Sequence, residues 1–303
     1  SLVKNDTHHK KYTCAIWRDI AAMLDKEYPE AALLSEWNQP RQSLKNGFDM
    51  DFMLEWQGNG YSWLMRNYDG AIDSDPHNIG KAYFCADSGT GIDKFLDDWL
   101  PSYKATRKDG LYCLITCNHD TIRPSAGLTP DELKIAYAML FTLPGAPFVY
   151  YGDEIGMRYL PLPTKEGGYF RTGSRTPMQW DGTANAGFTA GVPWIEVNPN
   201  YPGINVEGAM EDEGSILHLY RKLIALRNAS EILKWGDFQL LLPEHPQLFA
   251  YQRTYEGKTI SIWCNFSTED VALSKEGLGE ILLSEGASQN VLSPYGFIVA
   301  TDL

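Results

Sequence analysis

Two short segments place a carboxylate directly after an apolar run. Ala31-Ala32-Leu33-Leu34 ends in Ser35-Glu36-Trp37, and the continuous apolar run Leu111 to Cys117 ends in Asn118-His119-Asp120-Thr121. A carboxylate beside Trp37 in partly apolar surroundings would favour its protonated form, as a proton donor requires. An acid preceded by a histidine can grip hydroxyl groups and stabilise positive charge. Each segment also has a plain structural reading. A Glu at a strand end is commonly a solvated loop residue, and Asn and Asp favour turns. Two such clusters after successive apolar strands make a shared site the stronger reading.

The elements that would position these residues alternate between helix and strand over the first 228 residues. Tyr12 to Tyr28 reads as a helix with Ile16, Ile20 and Leu24 on one face, ended by Pro29. Short apolar runs end at Leu34, Cys117 and Tyr151, and Phe48 to Leu54 is a strand candidate of weaker pattern. Between them, Ile92 to Leu100 looks helical. Thr129-Pro130-Asp131-Glu132 is a capping box with Pro at the first helical position, opening a helix with Leu133, Ala136, Tyr137, Leu140 and Phe141 inward. A Gly-rich loop runs from Gly152 to about Asn205, and the helix Ser215 to Asn228 follows. Parallel strands need crossover helices, so the alternation predicts an α/β unit with a parallel sheet. Barrel enzymes of this kind carry their chemistry on loops at the carboxyl ends of the strands. After Ser230 the pattern becomes β-rich. Leu248 to Tyr255 and Thr259 to Asn265, separated by Glu256-Gly257-Lys258, predict a hairpin. Asp270 to Leu273 and Gly296 to Ala300 continue it. The expected division is residues 1–229 as the α/β part and 230–303 as a small antiparallel β-sandwich.

Composition sets outer limits. The chain has 303 residues, 44% of them hydrophobic, with nine Trp and seventeen Tyr. Aromatic faces suit sugar rings, and they also suit an aromatic core. A net charge of −13 argues against nucleic acid and anionic lipid as partners. No apolar stretch is long enough to span a bilayer. The five cysteines show neither metal-ligand spacing nor a disulfide framework, which points to a reducing, cytoplasmic setting. No metal and no cofactor is expected.

Longer collinear segments carry a resemblance. Leu33-Leu34-Ser35-Glu36-Trp37 resembles the acid/base segment of glycoside hydrolase family 13, the α-amylase family. Ile115-Thr116-Cys117-Asn118-His119-Asp120 resembles its Asn-His-Asp segment. The likeness extends through Leu143-Pro144-Gly145-Ala146-Pro147-Phe148-Val149-Tyr150-Tyr151-Gly152-Asp153-Glu154-Ile155-Gly156-Met157. It continues in Ser174-Arg175-Thr176-Pro177-Met178-Gln179-Trp180-Asp181, Asn185-Ala186-Gly187-Phe188 and Val197-Asn198-Pro199-Asn200-Tyr201. These are most similar to the oligosaccharide-acting α-glucosidase branch, with trehalose synthases close by.

The resemblance implies the C-terminal half, strands five to eight, of a (β/α)8 barrel. It implies Glu36 as general acid/base, Asp120 as the carboxylate that grips the sugar and stabilises the transition state, and His119 as a ligand of substrate hydroxyls. Arg123 is a further candidate for the same job. Small α-gluco-oligosaccharides would be the substrates. A transglycosylase or isomerase would use the same carboxylates, and a non-catalytic saccharide-binding piece is the alternative from another class. The family works by retention, with a nucleophilic carboxylate about 5 Å from the acid. That nucleophile belongs to a Gly-Phe-Arg-x-Asp-like segment on the fourth strand, ahead of the helix Tyr12 to Tyr28, and Ser1 to Lys11 holds no such segment. Gly47-Phe48-Asp49-Met50-Asp51 mimics it, but follows Glu36 and matches the sixth strand, so Asp51 is read as structural. This chain alone is therefore expected to be inactive. Half a barrel would also expose two sheet edges and an apolar layer, and would be prone to self-association. Asp153 and Glu154 are read as fixing their loop, Arg175 as pinning it to the barrel mouth, and Trp180 as a packing anchor or a sugar platform.

Overall fold

The computed structural model describes residues 7–54, 59–66, 82–85, 88–163, 170–243, 245, 248–273, 278–288 and 291–301. Its α/β part opens with α1 (Thr7–Glu27), β1 (Leu34–Ser35), α2 (Pro40–Ser43), β2 (Met50–Met53), α3 (Gly60–Met65) and α4 (Asp93–Thr106). It continues with β3 (Leu111–Ile115), α5 (Pro130–Thr142), β4 (Ala146–Phe148), α6 (Val206–Glu211), α7 (Ile216–Ala229) and α8 (Glu231–Trp235). The four strands form one sheet in the order β1-β2-β3-β4, every neighbouring pair parallel. All four carboxyl ends therefore point to the same side. This is the half-barrel arrangement expected, with β1 and β4 as the two edges.

Local signals decide several boundaries. The capping box closes as read: Thr129 Oγ1 accepts from the Glu132 backbone at 3.3 Å, and Glu132 Oε2 accepts the Thr129 N–H at 2.7 Å. Ser215 caps α7 through its side chain. The helix expected to stop near Leu100 instead runs through Pro101 to Thr106. Proline removes one helical hydrogen bond there. Against that loss stand the buried rings of Phe95, Trp99 and Tyr103, which stack along one face at centroid distances of 5.3 and 5.0 Å. The face expected to be inward on α1 is not buried. Ile16 is exposed, and Ile20 and Leu24 are only half-covered. On this flank α1 packs on the segment before β2: the Trp17 ring lies 4.7 Å from that of Phe48, and Arg18 Nη1 donates to Asn46 Oδ1.

The C-terminal part is antiparallel, as expected. It comprises β5 (Asp237–Leu241), β6 (Leu248–Tyr255), β7 (Lys258–Asn265), β8 (Val271–Ala272), β9 (Ile281–Ser288) and β10 (Val291–Thr301). The predicted hairpin turn has Glu256 at φ +48° and Gly257 at φ +76°, the doubly left-handed pair that suits the twist of a two-residue hairpin. The strands join into one six-stranded sheet, because β10 pairs β9 on one side and both β7 and β8 on the other. Alternation along β10 serves two cores. Phe297 and Val299 join the main core with α4, α5 and α7, while Ile298 and Ala300 face a second cluster with Leu248, Val271 and Leu292. The main core is continuous across residue 230.

Two buried arginines meet the end of α5, and one of them, Arg253, joins the two parts. Arg253, on β6, donates to the Thr142 carbonyl at 2.6 Å and to Gly236 O at 2.7 Å. Arg227, on α7, donates to Phe141 O at 2.7 Å, Leu143 O at 3.2 Å and Gly145 O. The last carbonyls of a helix lack intrahelical donors and carry partial negative charge, so cations suit them. Burial still pushes both guanidinium groups down to about 10.

Candidate active site

The turn after β1 is held from below by a carboxylate. Asp51, on β2, is fully buried. It accepts from Ser35 Oγ at 2.6 Å and from the backbone N–H groups of Trp37, Asn38 and Gln39 at 3.1, 3.2 and 2.8 Å. Asn38 sits at φ +54°. Its amide oxygen accepts from the Leu54 N–H and the Tyr112 hydroxyl, tying the turn to β2 and β3. Glu36 projects from this turn into solvent, and Trp37 is exposed beside it. The partly apolar surroundings expected for this carboxylate are found on one side, where Leu34, Trp17 and Phe48 line a cavity of about 330 Å3 beside it, between α1 and β1.

The Asn-His-Asp segment beyond β3 is a tight turn. Asn118 Oδ1 accepts the Asp120 N–H at 2.9 Å, and Thr121 Oγ1 accepts the Asn118 N–H at 3.0 Å. The turn aims Asp120 outward. Asp120 Oδ1 receives Arg171 Nη1 at 2.7 Å and Arg175 Nη2 at 2.8 Å. Its side chain keeps 42% of its surface open, and His119 Nε2 lies 3.6 Å from Oδ2. Arg175 also donates through Nε to His119 O at 2.8 Å. Its expected part, pinning the long loop to the mouth of the sheet, is seen directly. Arg171 was not read from the sequence. It lies in a 3-10 turn, Phe170–Ser174, where no periodic pattern marks it.

Arg123 lies elsewhere than its expected role requires. It is 0% exposed. Nη1 donates to Tyr151 O at 2.7 Å and Asp153 Oδ1 at 2.9 Å, and Nη2 donates to Ser174 O at 3.1 Å. The rings of Tyr150 and Tyr151 lie 4.9 and 5.0 Å from its guanidinium carbon. Burial is the largest influence and opposes its charge, but Asp153 together with Cys117, Tyr151 and Tyr150 outweighs it and holds the guanidinium above its ordinary value. Asp153 also accepts from Thr116 Oγ1 at 2.5 Å and Cys117 Sγ at 3.2 Å. As placed, Arg123 knots the ends of β3 and β4 to the long loop, and contact with a ligand would require it to leave these acceptors. Asp153 fixes its loop, as read. Glu154, half-buried beside it, has its carboxyl raised by burial.

Glu36 and Asp120 thus stand beyond the carboxyl edge of one parallel sheet, in the turns after β1 and β3, with β2 between those strands. Two strand spacings put those strand ends roughly 10 Å apart. Among the described residues no group of three or more His, Cys, Asp or Glu side chains could hold a metal ion, and no helix is long and apolar enough to cross a membrane.

Known proteins are similar to this chain. An oligo-1,6-glucosidase of Halalkalibacterium halodurans is 39% identical over 183 residues, which cover 49% of this chain and 33% of that protein. A trehalose-6-phosphate hydrolase of Escherichia coli is 37% identical over 191 residues, covering 52% of this chain and 34% of that one. The chain therefore matches about a third of the length of these curated relatives. The crystal structure of a trehalose-6-phosphate hydrolase of Bacillus licheniformis superposes with a TM-score of 0.76 at 24% identity, covering 95% of this chain and 58% of that one. The trehalulose synthase of Pseudomonas mesoacidophila gives a TM-score of 0.77 at 22% identity, covering 96% and 58%. At these identities the structures speak for the fold alone. The sequence profile described as "Alpha amylase, catalytic domain" matches residues 13–236, most of the chain, so the chain belongs to the α-amylase family of catalytic domains.

Proposed function

We propose that this chain is the acid-bearing part of a retaining glycoside hydrolase that acts on α-glucosidic bonds of small gluco-oligosaccharides. One observation carries the reading: Asp120 is held between Arg171 and Arg175 at the same edge of the parallel sheet as Glu36. The relatives named as oligo-1,6-glucosidases and trehalose-6-phosphate hydrolases support the α-glucoside class.

In this reading Glu36 protonates the glycosidic oxygen as the bond to the anomeric carbon breaks. It later takes a proton from the water that completes hydrolysis. Asp120 accepts from sugar hydroxyls, and its charge stabilises the positive charge that builds on the ring. His119 adds a further contact to the hydroxyls. The step between needs a nucleophilic carboxylate. The 303 residues contain no Gly-Phe-Arg-x-Asp segment. Asp51, which mimics one, is buried and committed to four donors. The chain alone would bind sugar without forming a glycosyl-enzyme. The exposed Tyr12, Ile16 and Met23 of α1, with Tyr28 just after it, support self-association on that flank.

The test is an assay of the purified chain on maltose, isomaltose and a chromogenic α-glucoside, beside calorimetric titration with glucose. The expected result is no turnover, with a weak binding event that Asp120→Asn removes. Turnover that disappears in Glu36→Gln would overturn the missing nucleophile and keep the glycosidase assignment. Absence of any binding would count against the role given to Asp120.

A further inference from the structure

The long loop between β4 and α6 displays aromatic rings that it does not bury. Trp180 is 50%, Phe188 49% and Trp194 66% exposed. The segment carrying them is nonetheless firmly built. The N–H groups of Trp180 and Asp181 both donate to Ala186 O, at 2.9 and 3.3 Å. Asn185 Nδ2 reaches Thr189 O at 3.0 Å and Gly191 O at 2.9 Å. Asn185 and the fully buried Ala186 hold left-handed φ values of +55° and +56°, a conformation kept only where the surroundings enforce it. The rings are therefore presented by a rigid loop. A contiguous exposed aromatic patch on such a loop is a binding surface by default.

These rings border a groove of about 520 Å3 whose charged members are Glu154 and Arg175. Glu154 Oε2 is buried and has no hydrogen-bond partner among the described residues. An acceptor taken out of water without a donor costs free energy until something donates to it. A pyranose ring meets both needs. Its C–H face covers an aromatic ring, and its rim carries hydroxyl donors. The net charge of −13 disfavours anionic ligands. Arg175 lines the groove and also holds Asp120, so the groove is continuous with the carboxylate site.

We propose that this groove is a second saccharide-docking site, in which a glucosyl unit lies against Trp180 and Trp194 and a hydroxyl donates to Glu154. The choice of sugar rests on the glycosidase reading; the groove and its unpartnered acceptor do not. The experiment is calorimetric titration of the full chain with maltotriose and isomaltotriose. It compares wild type, the Trp180→Ala/Trp194→Ala double variant, Glu154→Gln and Asp120→Asn, with circular dichroism as a check on folding. The groove predicts a loss of about tenfold or more in the double variant and a several-fold loss in Glu154→Gln. Asp120→Asn should keep one binding event within about twofold of wild type. If the double variant is misfolded, Glu154→Gln decides. Wild-type affinity in both groove variants, with binding lost in Asp120→Asn, would overturn the groove and leave the glycosidase reading standing. No binding to wild type overturns it too. So would a double variant that changes only the oligomeric state, since the patch would then be a protein contact.

Discussion

Ser35 and Asp51 face each other in register across β1 and β2, and the serine hydroxyl donates to the aspartate at 2.6 Å. The same carboxylate receives three successive backbone N–H groups, of Trp37, Asn38 and Gln39. A buried anion thus sets the turn from which Glu36 projects. The acid that imitates a nucleophile in sequence is a scaffold in space.

Replacing Asp51 with Asn removes one of the two acceptors and points an NH2 group at N–H donors. Asp51→Asn is expected to lower stability by about 1–3 kcal/mol, the cost of unsatisfied buried donors. Urea denaturation measures this directly. A variant as stable as wild type would mean that the turn holds itself.

The Arg123–Asp153 pair is a second anchor. Arg123→Met strands a buried carboxylate and frees the carbonyls of Tyr151 and Ser174. Breaking such a pair costs about 3–5 kcal/mol. Arg123→Lys should restore little, because one ammonium does not span the acceptors that the planar fork reaches. The same denaturation curves, with Asp153→Asn added to Arg123→Met, give the check: the double variant should recover part of the loss. Additive losses would rule out a direct pair.

Glu154 offers a pH dependence. Burial holds its carboxyl above the ordinary value, so the folded chain binds that proton more tightly than the unfolded chain does. The ionised group costs stability in full above the folded value, and the cost vanishes below the ordinary carboxylate range of roughly 4 to 4.5. Glu154→Gln should therefore melt higher than wild type near neutral pH, by a margin that shrinks on acidification. A margin independent of pH would show that burial of charge is not its origin.

Three of the four parallel strands were legible because an apolar run meets a turn signal at its carboxyl end; Phe48 to Leu54, interrupted by Asp49 and Asp51, gave a weaker pattern. The strand lengths were not legible. The run Ala31 to Leu34 yields pairing only at Leu34 and Ser35, since the chain after Ser35 turns onto the Asp51 carboxylate. Helix α4 passes Pro101 because ring stacking, invisible in a local pattern, outweighs a local rule. The strand β9, Ile-Leu-Leu-Ser-Glu-Gly-Ala-Ser, has no clean alternation and was missed. In the site, Glu36 and Asp120 announced themselves by position after apolar runs. Arg171 meets Asp120 only through the tertiary course of a long loop. Arg123 shows the converse: a polar residue next to a site motif carries no mark in sequence that its side chain turns inward.

The capping of α5 by Arg253 makes the antiparallel sheet poorly interchangeable. Domain shuffling assumes that a C-terminal unit can be exchanged if the apolar contact is preserved. Here the Thr142 carbonyl is completed by a guanidinium that arrives on β6, beside the neighbouring carbonyls that Arg227 takes from α7. A chimera that replaced residues 237–301 with a sheet of equal hydrophobicity but no arginine at this register would leave that helix end without its donor. Sequence swaps between relatives must therefore carry this one cation across with the sheet.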